Sequence, residues 1–168
     1  EDPAEEVMQQ FRSCGGDVLL DQVVRCDSCG LVYINPRLED EIIVRDYTEA
    51  AIHGYKEQFV SQNNSREVAF SRSMQLINRL RPSKGALLDV GAADGTFLAI
   101  ARRQGWTTFG CEPNRWFCRR AKENHNLVID QGTLLEQDYA GASFDVITLW
   151  DVIEHTTDPT GLLKKCHS

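Results

Sequence analysis

Hydrophobic and polar positions in the second half of the chain fall into short apolar runs and amphipathic stretches. The run from Ala86 to Val90 is bounded by glycines and is too short for a helix, which is typical of a buried parallel strand. The residues from Thr96 to Arg103 have helical spacing and end before Gly105. The pattern predicts a strand, a turn and a helix, and a ligand can lie against bare backbone where such a helix begins.

Glycines stand at both ends of the predicted turn, at Gly91 and Gly95. A side chain at either position would be expected to fill the space that a ligand needs. A dinucleotide-binding fingerprint would place glycines where Ala93 and Thr96 stand here. A phosphate-binding loop would end in Gly-Lys-Ser or Gly-Lys-Thr, which this turn lacks. The sequence therefore disfavours both motifs.

Further strands and helices follow the same alternation. Strands are predicted within residues 106–111, 126–134 and 143–150, and helices over residues 115–123 and 160–165. Upstream, apolar positions from Val68 to Leu80 predict a helix that covers the sheet, with Ser65 as its N-cap. Pro113 is expected in the first turn of the helix that follows it. The predicted fold class is α/β, a Rossmann-like parallel sheet with flanking helices.

Glu112 follows the second predicted strand, 21 positions after Gly91. In nucleotide-binding βαβ units, an acid at about this distance binds a ribose, because a carboxylate accepts hydrogen bonds from both hydroxyls. The alternatives are that Glu112 caps the next helix or faces water. The combined spacing favours ribose binding.

Several stretches resemble the motifs of class I S-adenosylmethionine-dependent methyltransferases. Leu88 to Thr96 resembles the first motif, with Ala93 at the family's middle glycine, and Gly110 to Asn114 resembles the second. Phe144 to Ile147 and Asp151 to Pro159 resemble later motifs. The resemblance implies methyl transfer from S-adenosylmethionine to a small molecule. The cofactor site that it implies comprises Asp89, Gly91, Ala92, Ala93, Gly95, Glu112, Pro113, Gly132, Thr133 and Trp150.

The resemblance also implies roles within this site. Asp89 would orient the amino group of the cofactor's methionine, directly or through water. Gly132 and Thr133 would border the adenine, and Trp150 would border the sulfonium or the adenine. His155 is a candidate general base, because imidazole titrates near neutral pH. Its alternative role is to order its own loop by hydrogen bonding.

Three cysteines near the start of the chain suit a zinc-binding segment. Cys26-x-x-Cys29-Gly is a knuckle half-site, since the two-residue spacing lets both thiolates face one ion. Cys14 precedes a glycine and suits a second knuckle across a hairpin, with Phe11 where its partner cysteine would stand. The segment resembles the N-terminal zinc-binding domain of a group that includes sugar C-methyltransferases. The fourth ligand is His53, a water or nothing, and the alternative is a set of free thiols.

The predictions divide the chain into three parts: a zinc-ribbon-like module over residues 1–37, a helical linker or cover over 38–82, and the first part of an S-adenosylmethionine-binding domain over 83–168. In the linker, Tyr47 or Tyr55 would contact cofactor or substrate, or would pack two modules together. Because the family's fold has three further strands, we expect the chain to be a fragment.

Composition limits the partners. A formal net charge of −7 argues against general nucleic-acid binding, and no apolar run is long enough to span a bilayer. The acidic start of the chain does not match a secretory signal, and the six cysteines favour reduced thiols or metal ligands in a cytoplasmic protein. Two further hypotheses are a cofactor-binding or assembly module without turnover and, less favoured, an NAD-dependent oxidoreductase.

Overall fold

The computed structural model describes residues 23–35, 63–139 and 143–167. The chain divides into two compact units, Glu1–Val60 and Ser61–Ser168. This division falls within the segment predicted to be a linker. The helix predicted near its end therefore belongs to the second unit, whereas Tyr47 and Tyr55 lie outside the described residues.

The described part of the first unit is a β-hairpin. Strand β1 (Val23–Arg25) pairs antiparallel with strand β2 (Val32–Ile34). In the connecting turn, the amide of Cys26 donates to the carbonyl of Leu31 at 2.8 Å, and the amide of Gly30 donates to the carbonyl of Cys26 at 2.9 Å. These two bonds close the turn that carries the Cys26-x-x-Cys29 spacing.

The second unit is built on a four-stranded parallel sheet in the order β5, β4, β3, β6. Its strands are β3 (Ala86–Val90), β4 (Thr107–Glu112), β5 (Asp130–Gln131) and β6 (Val146–Leu149). Strand β3 has its predicted bounds. Strand β4 begins one residue later than predicted, because the amide of Trp106 donates to the carbonyl of Ala101 and so closes the preceding helix.

Helices cover both faces of this sheet. They are α1 (Asn63–Leu80), α2 (Thr96–Arg103), α3 (Arg115–His125) and α4 (Pro159–His167). Helices α1, α2 and α3 pack on one face of the sheet through Met74, Phe97 and Ala121, respectively. Helix α4 packs on the other face through Leu162. The predicted α/β class is confirmed. In the described ranges, no helix combines the length and apolarity needed to cross a bilayer.

Helix α1 differs from the prediction at its start and along its apolar stripe. It begins at Asn63, so Ser65 lies inside the helix and is not its N-cap. Met74 is fully buried, whereas Leu76 is 49% exposed and Leu80 is 76% exposed. The apolar stripe read from the sequence is therefore wider than the face that α1 buries.

Asp145 ties the start of β6 to the start of β3 and the end of α1. Its carboxylate accepts a hydrogen bond from the amide of Ala86 at 2.9 Å and another from the Arg81 guanidinium. These interactions lower the pKa of Asp145, with the Ala86 amide contributing most. Asp145, in the stretch Phe144 to Ile147, thus fixes where β6 begins relative to β3.

Candidate cofactor site

The turn after β3 is left-handed at three positions. The φ angles are 70° at Gly91, 45° at Ala93 and 74° at Gly95. A Cβ added at Gly91 would lie 2.6 Å from Cγ2 of Val152. One added at Gly95 would lie 3.0 Å from Cδ1 of Leu127. A side chain at either position would thus meet the protein's own side chains, and that it would also occupy ligand space stays a prediction.

The backbone amides of this turn are bonded within the protein. Those of Gly91 and Ala92 donate to the carbonyl of Cys111 at 2.9 and 3.0 Å. The amide of Gly95 donates to the carbonyl of Ala92 at 2.9 Å, and that of Thr96 donates to Oδ1 of Asp94 at 3.2 Å. Few donors of the turn are left for an anion.

Glu112 lies at the end of β4 beside the turn, and only 7% of it is exposed. Its Oε2 accepts a hydrogen bond from the amide of Ala93 at 3.0 Å, and its Oε1 accepts one from the amide of Asn114 at 2.8 Å. Burial raises the pKa of this carboxyl group to about 7, and the two amide bonds act in the opposite direction. Glu112 therefore joins the turn to the second strand and keeps unused acceptor positions on both oxygens.

Asn114, not Pro113, begins the helix after Glu112. The Asn114 side chain caps α3 by accepting a hydrogen bond from the amide of Trp116 at 3.0 Å. Pro113 precedes this cap, so the prediction that it occupies the first helical turn is wrong. Pro113 still lies next to Glu112 at the carboxyl edge of the sheet.

Asp89 lies on β3 directly opposite Thr148 of β6 and is 2% exposed. The Thr148 hydroxyl donates to its Oδ1 at 2.7 Å. Burial raises the pKa of Asp89 to about 8; Thr148 lowers it, and the charge of Glu112 raises it further. Sequence reasoning missed Thr148, because the register between two strands 59 positions apart has no local signal.

Asp94 is a further buried acid that sequence reasoning did not assign. It is 1% exposed, and its Oδ1 accepts hydrogen bonds from both the amide and the hydroxyl of Thr96. The guanidinium of Arg66, from the first turns of α1, lies 3.5 Å from Oδ2. The Asp-x-Thr spacing at the start of a helix was the signal that could have indicated this local cap.

Gly132 and Thr133 follow β5 on the same side of the sheet as Glu112. The amide of Gly132 donates to the carbonyl of Glu112 at 3.0 Å. The Thr133 hydroxyl and amide both lie within hydrogen-bond distance of Oε2 of Glu136, at 2.9 and 2.6 Å. The Thr133 hydroxyl is thus engaged in its own loop, and a contact between Thr133 and adenine stays a prediction.

Trp150 and His155 follow β6, and the left-handed residue Asp151 (φ 52°) directs the chain between them. The Trp150 ring packs against Phe97, with 5.1 Å between the ring centroids. Among the described residues, its buried Nε1 has no hydrogen-bond partner. The Nε2 of His155 lies 3.9 Å from Oε1 of Glu154, in a short 3-10 turn. Trp150 therefore packs on the face of the sheet that α1, α2 and α3 cover, while His155 lies beyond the end of β6.

Residues 63–168 match a family profile described as "Methyltransferase domain". This match spans more than half of the chain. The chain belongs to this methyltransferase family. A comparison with curated proteins gave no significant match.

Solved structures share the fold of this methyltransferase domain. The plantazolicin methyltransferase BpumL, in complex with SAH (S-adenosylhomocysteine), aligns with a TM-score of 0.55 and 16% identity over 73% of this chain and 51% of its own. The magnesium protoporphyrin IX methyltransferase (ChlM) from Synechocystis PCC 6803, with bound SAM (S-adenosylmethionine), aligns with a TM-score of 0.52 and 15% identity over 78% of this chain and 72% of its own. Our chain thus spans about half the length of BpumL.

The hairpin of the methyltransferase's first unit contains two of the three cysteines predicted to bind zinc. Cys26 and Cys29 share one turn, and Sγ of Cys26 lies 3.0 Å from the Ser28 hydroxyl. Cys14 and His53 lie outside the described residues. Within the described ranges, no group of three or more potential metal ligands comes together.

Proposed function

We propose that this methyltransferase domain binds S-adenosylmethionine at the carboxyl ends of β3 and β4 and transfers its methyl group to a small molecule. One combination carries the proposal: a turn whose amides are bonded internally, beside a buried carboxylate with acceptor positions to spare. Such a turn suits no phosphate, and such a carboxylate suits a ribose. A nucleoside cofactor without phosphates meets both conditions.

The turn argues against cofactors that contain phosphate groups. Five of the six amides from Gly91 to Thr96 donate to acceptors of the protein itself. The Asp94 carboxylate is buried at the start of α2, where a phosphate-binding protein presents free amides. An anion there would meet a negative charge and few donors. The NAD-dependent oxidoreductase is accordingly the weaker hypothesis.

Glu112 suits the ribose of an adenosyl group. A carboxylate offers about four acceptor positions, and two backbone amides occupy one on each oxygen. The remaining positions are available to two neighbouring hydroxyls. Because the same amides fix the carboxylate in place, little side-chain entropy is lost when the ribose binds.

The strand order gives the direction in which this cofactor would extend. The glycine turn follows β3, Glu112 ends β4, and β5 lies beyond β4. A base attached to a ribose at Glu112 therefore extends toward the loop after β5. The methionine part extends back past the glycine turn toward the end of β6, where Trp150 and His155 follow.

S-adenosylmethionine supplies a methyl group on a positively charged sulfur, which is already electrophilic. The task left to the protein is to hold the acceptor in line with that methyl and to exclude water. For an acceptor that must lose a proton, we propose that the His155 imidazole takes it, since His155 follows β6. Asp89 would orient the methionine amino group from its buried position beside the turn.

The acceptor that we propose is a small molecule, with a nucleotide-linked sugar as the specific candidate. Support for the sugar comes from the resemblance of the cysteine-containing segment to that of sugar C-methyltransferases. The alternative is a module that retains the cofactor site without turnover. Binding and transfer distinguish these two hypotheses.

Calorimetry tests the cofactor, with S-adenosylmethionine, S-adenosylhomocysteine and NAD titrated into the protein separately. Binding of both adenosyl compounds without NAD binding supports the proposal, and the reverse contradicts it. Transfer of a radiolabelled methyl group to candidate acceptors then tests turnover. Cofactor binding without transfer to any acceptor would favour the binding module.

For the first unit, we propose that Cys14, Cys26 and Cys29 bind zinc. Support comes from the hairpin turn, whose two backbone bonds hold Cys26 and Cys29 on one tight loop. Elemental analysis of the purified protein is the test. About one zinc per chain in the wild type and a lower content in Cys29→Ser are expected. A metal-free wild type would leave the free-thiol alternative.

A further inference from the structure

Basic side chains form a stripe along the exposed face of α3. Arg115, Arg119 and Lys122 occupy positions i, i+4 and i+7 of this helix, which share one face, and all three side chains are exposed. These three residues are called the basic stripe below. We propose that the basic stripe binds an extended acidic segment of a partner protein. This inference goes beyond the proposed function and does not require it.

The charges of the basic stripe are not neutralised within the part of the chain that the structure describes. There, neither arginine of the stripe nor Lys122 forms an ion pair with a carboxylate. The Lys122 ammonium donates to Oδ1 of Asn126 at 2.8 Å, which is a neutral acceptor. Glu123, the one acid of α3, is not paired with the stripe either. The stripe therefore presents its positive charge to the solvent.

The stability of α3 does not explain the basic stripe. Arg115 lies in the first turn, where the helix dipole disfavours a cation, and that turn contains no acidic residue. Arg119 lies four residues after Arg115 and three before Lys122, so both pairs of like charges repel. By contrast, Arg102 of α2 donates to the carbonyl of Asn126 at 3.2 Å and so stabilises the opposite end of α3. The stripe lowers the stability of its own helix, which indicates a role outside the helix.

Arg120 extends the positive surface beside the basic stripe. Its Cζ lies 5.0 Å from the centroid of the Trp116 ring, over which the guanidinium stacks. Its Nε is buried and has no hydrogen-bond partner among the described residues. A guanidinium held by stacking is pre-organised, so little side-chain entropy is lost when its other N–H groups bind a carboxylate. Arg120 therefore adds a carboxylate-binding group whose position is already fixed.

The spacing within the basic stripe suits an extended chain. Arg115 and Arg119 are separated by about 6 Å along the helix axis. Alternate residues of an extended segment point to the same side and repeat at about 6.6 Å. A segment with acidic residues at alternate positions therefore brings one carboxylate to each of the two guanidinium groups. Such charge-assisted hydrogen bonds are the strong ones, and arginine makes them in pairs.

Two other anionic partners fit the basic stripe less well. Helices that bind an anionic membrane surface also insert large apolar side chains, and α3 exposes none. A nucleic acid extends well beyond three charges and would meet a chain with 25 acidic and 18 basic side chains. An acidic protein segment needs neither apolar insertion nor a long basic surface.

The test uses two fluorescent peptides in which serine alternates with glutamate or with glutamine. Fluorescence anisotropy measures their binding to the full chain at low salt. We expect the glutamate peptide to bind and the glutamine peptide not to bind. In Arg115→Gln/Arg119→Gln/Lys122→Gln, the Kd of the glutamate peptide should rise by roughly 3- to 100-fold, the combined effect of three exposed ion pairs.

A matched variant controls for the loss of charge. Arg72→Gln/Arg79→Gln/Lys164→Gln removes the same residue types from exposed positions of α1 and α4. Its Kd should stay within about twofold of the wild-type value, because charges away from the contact are screened. An equal loss in both variants would contradict the proposal, as would a wild type that does not bind the glutamate peptide. Tighter binding of oligothymidylate or of phosphatidylserine vesicles than of the peptide would overturn it in favour of a nucleic acid or a membrane.

The melting temperature separates a binding role of the basic stripe from a structural one. The variant without the stripe should melt at or above the wild-type temperature, because glutamine relieves the repulsion between like charges and has a comparable helix propensity. A lower melting temperature would show that the stripe supports α3 and would contradict its assignment as a binding surface.

Discussion

Oε2 of Glu112 accepts a hydrogen bond from the backbone amide of Ala93 at 3.0 Å, which joins the end of β4 to the turn after β3. Ala93 has a φ of 45°, and this left-handed conformation turns its amide toward β4. The carboxylate that we assign to the ribose is therefore held by the turn that borders the same cofactor. A change at Glu112 acts on both the ribose contact and the turn.

Glu112→Gln should weaken S-adenosylhomocysteine binding by about 1–3 kcal/mol, roughly 5- to 150-fold in Kd. One oxygen becomes an amide nitrogen, which faces a backbone donor and accepts nothing from the ribose. Calorimetry measures the change, and Glu123→Gln on the exposed side of α3 is the control with the same loss of charge. An unchanged Kd for Glu112→Gln would contradict the ribose assignment.

Asp89→Asn should flatten the dependence of stability on pH. Burial raises the pKa of Asp89 from its ordinary 3.8 to about 8, so between these values the folded protein retains a proton that the unfolded chain releases. The stability from this group is complete below about pH 4 and is lost as the pH rises toward 8, by at most about 1.4 kcal/mol per pH unit. Asparagine does not titrate and can still accept the Thr148 hydroxyl bond.

Chemical denaturation at several pH values from 4 to 9 tests this expectation. Some slope should remain in Asp89→Asn, because burial also raises the pKa of Glu112, to about 7. The wild-type free energy of unfolding should fall more steeply with rising pH than that of the variant. Parallel curves for the two proteins would show that Asp89 ionises as it does in the unfolded chain.

Asp145→Ala should lower the melting temperature at pH 7, since it removes the carboxylate that joins Arg81 and the Ala86 amide. The pKa of Asp145 is lowered in the folded state, so its contribution is present above the ordinary pKa and is lost as the pH falls through the folded value. The difference between wild type and variant should therefore shrink in acid. Glu67→Ala, on the exposed side of α1, provides the control. A difference that persists undiminished at pH 2 would point to a role that does not depend on charge.

Local signals in the sequence were sufficient where neighbouring residues mark both ends of a strand or helix. Strand β3 and helix α2 have their predicted bounds, because an apolar run, two glycines and a helical period mark every boundary. The start of β4 was misplaced by one residue, because the apolar Trp106 has a high strand propensity yet closes the end of α2 through its backbone amide. A local backbone bond that ends the helix overrode propensity there.

The candidate site was predictable in its positions and less so in its contacts. The spacing from Gly91 to Glu112 led to an acid that does lie beside the glycine turn. The pairing of Asp89 with Thr148 depends on strand register, whereas the engagement of Thr133 with Glu136 is a local capping box three residues long. The first relation has no signal in composition, periodicity or motif spacing, whereas the Thr-x-x-Glu spacing of the second was visible in the sequence.

The absence of a side chain at Gly91 makes room for Val152. Gly91→Ala should destabilise the protein by about 1–2 kcal/mol through its left-handed φ, with a further cost because the new Cβ would lie 2.6 Å from Cγ2 of Val152. In the Gly91→Ala background, Val152→Ala removes the cost of the close approach to Cγ2 but not the cost of the left-handed φ. The double variant should therefore be more stable than the sum of the single changes predicts, by about 0.5–3 kcal/mol.

Denaturation of the four proteins completes this cycle. If the effects of Gly91→Ala and Val152→Ala simply add, the contact between the two residues does not constrain the loop after β6. If they do not add, Val152 limits how closely the loop after β6 approaches the glycine turn. Since His155 follows in the same loop, its position relative to the turn then depends on a contact between a glycine and a valine.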